Sequence, residues 1–381
     1  MKRKVCVITG SRSDYGILQP VMKAIKKSKR LELFVIATSM HLMKEFGYTV
    51  REIEKDGFHI NNRINISYWE DTGHAMAFSV GKAVSMFSDS FLRLKPDIVL
   101  VLGDRGEMLA AAIAANYMNI PVAHIHGGEV SGHIDGLVRH AITKLSNIHF
   151  PATDKAKERI KKLGERPDTV FKVGAPALDS VLSGRYAGKK ELLKKYGLND
   201  GPTLIVVQHP VSAETGKSAS HMRTTLEAVK ELQIQTIVIY SNADAGGRKM
   251  IDVIKRYERH SLIKAFKSIP HADYLGLMRI SSVLVGNSSS GIIEAASFKL
   301  PVVNIGDRQR GRERCGNVID ADHGMNAILR AIKKALFDKK FRNKVRHCNN
   351  PYGDGHAGQR IADRLAAIRL NKELLVKQLT Y

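Results

Sequence analysis

The stretch that decides how this chain reads is Pro121-Val-Ala-His124-Ile-His126-Gly-Gly-Glu129-Val-Ser-Gly-His133-Ile-Asp135-Gly-Leu137-Val-Arg139-His140, continuing to Pro151. An apolar run, Val122 to Ile125, leads in. Leu137, Ala141, Leu145 and Ile148 lead out at spacings of 4, 4 and 3, the stripe of an amphipathic helix. Five of the 15 histidines fall here, and Glu129 and Asp135 sit among glycines 127, 128, 132 and 136. The ionisable groups therefore lie on a glycine-rich loop between a strand and a helix, where open α/β sheets place their chemistry. Two chemistries compete for the loop. His124-x-His126 with nearby carboxylates has metal-ligand character. Glu129 and Asp135 suit metal-free acid–base work. The bland reading is a polar loop with solvated histidines.

Strand and helix signals alternate on both sides of this stretch, which predicts parallel sheets covered by helices. Strands are expected at Val5–Thr9, Leu33–Thr38, Asp97–Leu102 and near Phe150, with Val170–Pro176 as the last strand and crossover of the first half. Alternation restarts with strands at Thr203–Gln208, Thr236–Tyr240, Ile263–Phe266, Ser282–Val285 and Pro301–Ile305. A helix over Ile292–Ser297 follows a serine loop, and a last helix over Ala357–Leu375 returns to the first half. The expected fold class is α/β, with two Rossmann-like, doubly wound parallel-sheet domains around a cleft. Residues 1–175 form the first, residues 176–359 the second, and a helix at about 360–381 packs back on the first.

At 381 residues the chain is long enough for both domains. No apolar run approaches the roughly 18 residues of a membrane helix, and Val5–Thr9 after the basic start reads as a strand, not a leader. Cys6, Cys315 and Cys348 are distant and odd in number, so free thiols and a cytoplasmic protein are expected. The net charge of +23 invites nucleic acid. Much of the excess, however, sits on separate helical segments, aromatics are only 6%, and no nucleic-acid motif appears. The charge better suits attraction of anionic small molecules.

The strand-end loops carry the chemistry. Arg12, Asp104, Arg105, Glu129, Asp135, His209 and Arg308 all fall at such positions. Neither a dinucleotide fingerprint nor a P-loop is present. Gly286-Asn287-Ser288-Ser289-Ser290-Gly291 joins a strand to a helix, so its N–H groups and hydroxyls suit an anion, with the helix dipole behind them. Glu294, one turn on, suits ribose hydroxyls. The run Arg308, Arg310, Arg312, Arg314 suits a diphosphate. Taken singly, the serine loop is an ordinary N-cap and Asp104 a helix cap.

In order, Gly10-Ser11-Arg12-Ser13-Asp14-Tyr15-Gly, Gly103-Asp104-Arg105-Gly-Glu107, His124-Ile-His126-Gly-Gly-Glu129, His133-Ile-Asp135-Gly, Gln208-His209-Pro210, Gly286–Gly291 and Gly306-Asp307-Arg308-Gln309-Arg310-Gly311-Arg312 together resemble the hydrolysing UDP-N-acetylglucosamine 2-epimerases. The resemblance runs from about Lys4 to Gly358. Non-hydrolysing relatives typically carry Gly-Thr-Arg-Pro-Glu where this chain has Gly10-Ser11-Arg12-Ser13-Asp14. The family implies a GT-B fold with the nucleotide mainly on the second domain, no metal and no cofactor, and a homodimer or homotetramer as the expected assembly. It implies conversion of UDP-N-acetylglucosamine and water to N-acetylmannosamine and UDP through a 2-acetamidoglucal. Asp104, Glu129, Asp135 and His209 are then the catalytic candidates. Arg12, Ser13, Arg105, Asn242, Ser288, Ser289, Ser290, Glu294 and Arg308 are the substrate- and UDP-binding candidates. Neighbouring carboxylates would raise one another's pKa, keeping one protonated as acid. A UDP- or GDP-linked 2,4-diacetamido-2,4,6-trideoxyhexose is the alternative substrate. A GT-B glycosyltransferase, or a nucleotide-sugar binding module without turnover, is the alternative of another class.

Overall fold

The computed structural model describes residues 2–66, 70–132, 134–378 and 380. The motif residue His133 lies outside these, as do parts of the 39–75 segment and of the chain's last residues. Buried aliphatic runs form β1 (Arg3–Thr9), β2 (Leu31–Thr38), β3 (Asn62–Ile64), β4 (Ile98–Leu102), β5 (Val122–Ile125) and β6 (Ile148–Phe150). A second set forms β7 (Thr203–Val207), β8 (Gln235–Ile239), β9 (Ile263–Phe266), β10 (Val283–Gly286), β11 (Val302–Ile305) and β12 (Val318–Ala321). The first sheet has the order β3-β2-β1-β4-β5-β6 and the second β12-β11-β10-β7-β8-β9, with every pairing parallel. Renumbered within its own half, each is the doubly wound order 3-2-1-4-5-6. The strands are buried on both faces, so they read as continuous apolar runs, not as alternation.

This order places two switch points, β1/β4 and β7/β10, where successive crossovers run to opposite sides and leave a crevice at the strand ends. The loops after β1 and β4 hold Arg12, Ser13, Asp104 and Arg105. Those after β7 and β10 hold His209 and Ser288–Ser290. At the end of β10, Gly286 has φ 131, and a Cβ there would collide with the Val207 carbonyl. Only glycine lets that chain turn into the serine loop.

Three expectations need correction. Val170–Pro176 is not a strand: only Val170 bridges to His149, and Gly174 (φ 89) and Pro176 then turn the chain away. The helix expected over Ile292–Ser297 is a single turn, Ser290–Ile293, so little dipole backs the serine loop. The last helix stops at Ala367, where Ile368 turns extended (φ −62, ψ 138), and resumes briefly at Lys372–Leu375. The basic helical segment expected over Arg330–Arg346 is two helices, Met325–Phe337 and Lys339–Arg346, and β12 is a strand that no apolar run announces.

The returning segment completes the first half. Ile361, Leu365 and Leu374 share a buried core with Val5, Val7 and Leu100. Asn147 donates to the Leu374 carbonyl at 2.9 Å. Lys377 Nζ donates to the carbonyls of Thr143, Lys144 and Ser146 at 3.1, 2.6 and 2.6 Å. It thereby satisfies the open end of helix Ile134–Leu145.

Candidate active site

Two adjoining cavities occupy the cleft. The larger, about 180 Å³, is lined by Arg12, Ser13, Asp104, Arg105, His209, Asn242, Ser288, Ser289, Ser290, Glu294 and Arg308, all named by the sequence. The smaller, about 90 Å³, opens beside Asp14, Asp104, Arg105, Ser289 and Arg308, and adds His126, Asp135, Arg139 and Arg312. Glu129 lines neither. It is buried one layer back, against His126 and Arg312.

The loop after β5 builds this wall. His126 sits at φ +61, an uncommon conformation for a side-chain-bearing residue. Its Nδ1 makes a short hydrogen bond to Glu129 Oε1. Arg312 closes on Glu129 Oε2 with Nε at 2.8 Å and Nη2 at 2.5 Å. Burial would raise the Glu129 pKa, but the Arg312 charge and the hydrogen bonds from His126 and Arg312 outweigh it and hold the carboxyl at about 2. Helix Ile134–Leu145 turns Arg139 inward. Arg139 forms a short ion pair with Asp104 and donates to the Glu129 carbonyl at 3.2 Å and Ser131 Oγ at 3.1 Å. Asp135 meets Arg308 at 3.1 Å. Each of the three expected carboxylates thus has its own arginine. For Glu129 the shift runs opposite to the expected mutual elevation.

Elevation occurs instead at Asp14, on the first turn of helix Arg12–Lys27. Burial raises its pKa to about 6 against the pull of Arg105, and its Oδ2 has no hydrogen-bond partner among the described residues. Asp14 lines both cavities. His209 is pushed down to about 3 by burial and by Arg308. Its Nδ1 accepts from the Asn242 N–H at 3.3 Å, which leaves the proton on Nε2. His209 is therefore a neutral hydrogen-bond donor. Arg105 donates to Glu107 at 2.8 Å and lies 3.6 Å from Asp244 on the opposite half. The Arg12 guanidinium stacks 5.1 Å over Tyr274, whose hydroxyl bonds Ser290 at 2.6 Å.

A profile of the UDP-N-acetylglucosamine 2-epimerase family matches residues 23–366. The UDP-N,N'-diacetylbacillosamine 2-epimerase (hydrolyzing) of Legionella pneumophila is 40% identical over 378 residues, 99% of each chain. This chain belongs to the hydrolysing 2-epimerase family. The UDP-N-acetylglucosamine 2-epimerase of Neisseria meningitidis is 34% identical over 346 residues, 90% of this chain and 89% of that one. The fold matches the crystal structure of Methanocaldococcus jannaschii UDP-GlcNAc 2-epimerase with a TM-score of 0.81 at 20% identity, over 95% of this chain and 99% of that one. Among the described residues no helix is long and apolar enough to cross a membrane.

The family frame sorts the remaining expectations. His124, fully buried, bonds the Gly103 carbonyl at 2.7 Å, and His149 bonds Glu165 at 3.1 Å. These histidines tie strands to loops. A metal-capable grouping among the described residues, Glu214, His221 and His323, comes from outside the histidine-rich stretch. Of the four arginines after β11, Arg308 and Arg312 face inward, while Arg310 and Arg314 pair with Asp307 and Asp320. The expected helix stripe is displaced as well. Leu137 is 74% exposed, and the buried face is Gly136, Arg139, Ile142 and Thr143. Asp14, His126 and Arg139 are among the site-lining residues absent from the acid–base and nucleotide candidates. Asp14 and His126 sat inside quoted motifs, and Arg139 four residues beyond Asp135.

Proposed function

We propose that this chain hydrolyses and epimerises a UDP-linked 2,4-diacetamido-2,4,6-trideoxyhexose, releasing the free 2-epimeric sugar and UDP through a glycal. The smaller cavity carries the reading. Two carboxylates, Asp104 and Asp135, open there beside the arginine that meets a diphosphate, Arg308. Removal of the weakly acidic C2 proton becomes feasible when the C1 diphosphate leaves in the same elimination. Arg12, Arg308 and the serine hydroxyls receive that charge. His209 donates from Nε2 to a phosphate or sugar oxygen, and Glu294 accepts from the ribose. Asn242 and Ser13 complete the nucleotide wall, and Arg105 braces it from the first half.

Binding then changes the carboxylates. A diphosphate competes with Asp135 for Arg308, so the incoming substrate frees Asp135 for proton transfer. Asp104 keeps its orientation through Arg139. Asp14, poised to be protonated, stands where the two cavities meet and donates toward the departing oxygen. Water then adds at C1 while C2 is protonated on the opposite face. The chemistry as drawn uses only side chains, consistent with an enzyme without metal or cofactor.

The choice of sugar rests on two supports. One is the 40% identity over the full chain to the diacetylbacillosamine enzyme, against 34% to the N-acetylglucosamine enzyme. The other is apolar Ile17, Leu102 and Ile293 in the smaller cavity, which suit a C6 methyl. UDP-N-acetylglucosamine is the second reading, supported by the Neisseria relative. An apolar pocket rejects an added hydroxyl by only about 100-fold, so weak turnover of that sugar is expected too.

The test is incubation with each nucleotide sugar in deuterated water, followed by NMR. Free 2-epimeric sugar with deuterium at C2, plus UDP, is expected, and faster by roughly 10- to 100-fold for the diacetamido substrate. Equal or better use of UDP-N-acetylglucosamine refutes the sugar assignment. An epimerised sugar still attached to UDP refutes the hydrolytic one.

A further inference from the structure

His126 carries three features together. It holds φ +61 between Ile125 and Gly127, a backbone cost that packing alone does not require of a histidine. Its Nδ1 is bonded to Glu129. Its Nε2 is buried, without a hydrogen-bond partner among the described residues, on a ring that lines the cavity holding Asp104 and Asp135. A buried unpaired ring nitrogen is costly unless something uses it.

The tautomer follows from Glu129. That carboxylate is held ionised by Arg312, which binds it through two nitrogens, so it only accepts hydrogen bonds. The imidazole proton therefore sits on Nδ1, which leaves the lone pair on Nε2 of a ring that lines the cavity. Nucleophile-activating histidines in hydrolases share this logic: a buried carboxylate fixes the tautomer and stabilises the cation formed on proton transfer.

We propose that His126 Nε2 is the base that takes the C2 proton of the sugar, with Glu129 as its positioning residue. This deepens the epimerase reading and rests on it. In the elimination, the C2–H bond breaks and its electron pair forms the C1=C2 double bond. The C1–O bond breaks, and its electrons leave on UDP. The proton moves to Nε2, giving an imidazolium that Glu129 stabilises, and is then lost to solvent. In the hydration, the hydroxyl of water bonds C1, its proton goes to a cavity carboxylate, and a carboxylic acid on the other face supplies the new C2 proton. Asp104 and Asp135 line the same cavity as the ring. The role also explains why Glu129 lies behind the cavity wall: it acts on the sugar through the ring.

The backbone offers a clean variant. Glycine adopts φ +61 without strain, so His126→Gly is expected to fold with an unchanged or higher melting temperature and to leave a slot the shape of the ring. UDP affinity should stay within threefold of wild type. Turnover should fall at least 100-fold, and imidazole at tens of millimolar should restore it at least tenfold. His126→Gln should lose the same rate without rescue. If the wild type releases UDP and the glycine variant keeps its rate within threefold, or loses it with no response to imidazole, His126 is not the base. If the wild type releases no UDP from either nucleotide sugar, the epimerase reading falls and takes this assignment with it. In the wild type the Nδ1 proton should give a far-downfield signal in UDP-bound protein, lost in Glu129→Gln. Its absence refutes the dyad independently of turnover.

Discussion

Two of the ion pairs that join the halves of this molecule differ in what water can reach. Glu129–Arg312 is sealed, with side chains 3% and 8% exposed, and Arg312 holds the carboxylate through two nitrogens. Asp135–Arg308 is more open, at 23% and 16%, and rests on a single 3.1 Å contact. Both link the loop region after β5 to the loop after β11. Burial alone makes one a tie that holds the domains in register, and the other a contact that a diphosphate can displace.

Arg312→Met attacks the tie and should have the largest effect. It strands a buried carboxylate, and stability should fall by about 3–5 kcal/mol in urea unfolding. Adding Glu129→Gln should restore most of that loss and none of the turnover. A double variant as unstable as the single one would mean that the pair is not the cause. Asp135→Asn attacks the displaceable pair. Turnover should fall by roughly 10²–10⁴, with stability changed by less than about 1 kcal/mol, as for exposed pairs. A large drop in stability would place that pair with the sealed one. Arg308→Lys keeps the charge but loses the fork. Its KM for nucleotide sugar should rise by about tenfold, an effect on the order of one charge-assisted hydrogen bond.

Acid separates the pairs without mutation. The Glu129 pKa is depressed in the fold, from 4.5 to about 2. Its stabilisation is fully present above the unfolded value and is lost as pH falls through the folded one. Urea midpoints should therefore decline between about pH 4.5 and 2 in the wild type, and less steeply in the Glu129→Gln/Arg312→Met protein. Equal slopes would contradict the pairing. The smallest effect is expected from chelation: EDTA should leave turnover within about twofold, since the proposed elimination and hydration are carried by side chains, and loss of activity would revive a metal role for the histidine-rich loop.

The architecture was legible because parallel strands buried on both faces announce themselves as apolar runs, and strand ends announce the cleft. What misled was periodicity near the site. Leu137 looked like core, but the inward position belongs to Arg139, 2% exposed, its guanidinium occupied by Asp104, Ser131 and the Glu129 carbonyl. A buried arginine breaks the apolar stripe only where function rewards it. The carboxylates were found by type, but their pairing was not. It depends on residues about 170 to 180 positions away, such as Arg308 and Arg312, which local pattern does not report. His126 was read as a metal-ligand candidate and not as a base because nothing in a one-dimensional reading reveals a positive φ or an unpartnered ring nitrogen. β12 escaped because Val318–Ala321 is four residues with an aspartate inside.

The segment from Ile361 to Lys377 has a consequence for biosynthesis. It fills the first core and caps the helix that bears Asp135 and Arg139, yet the ribosome makes it after the second half. At about 5–20 residues per second, the roughly 190 residues after the first crossover take on the order of 10–40 s. During that interval the first half waits with an open apolar groove beside helix Arg12–Lys27, while the second half completes its own sheet. The first half can thus close its core only after the second half has been made.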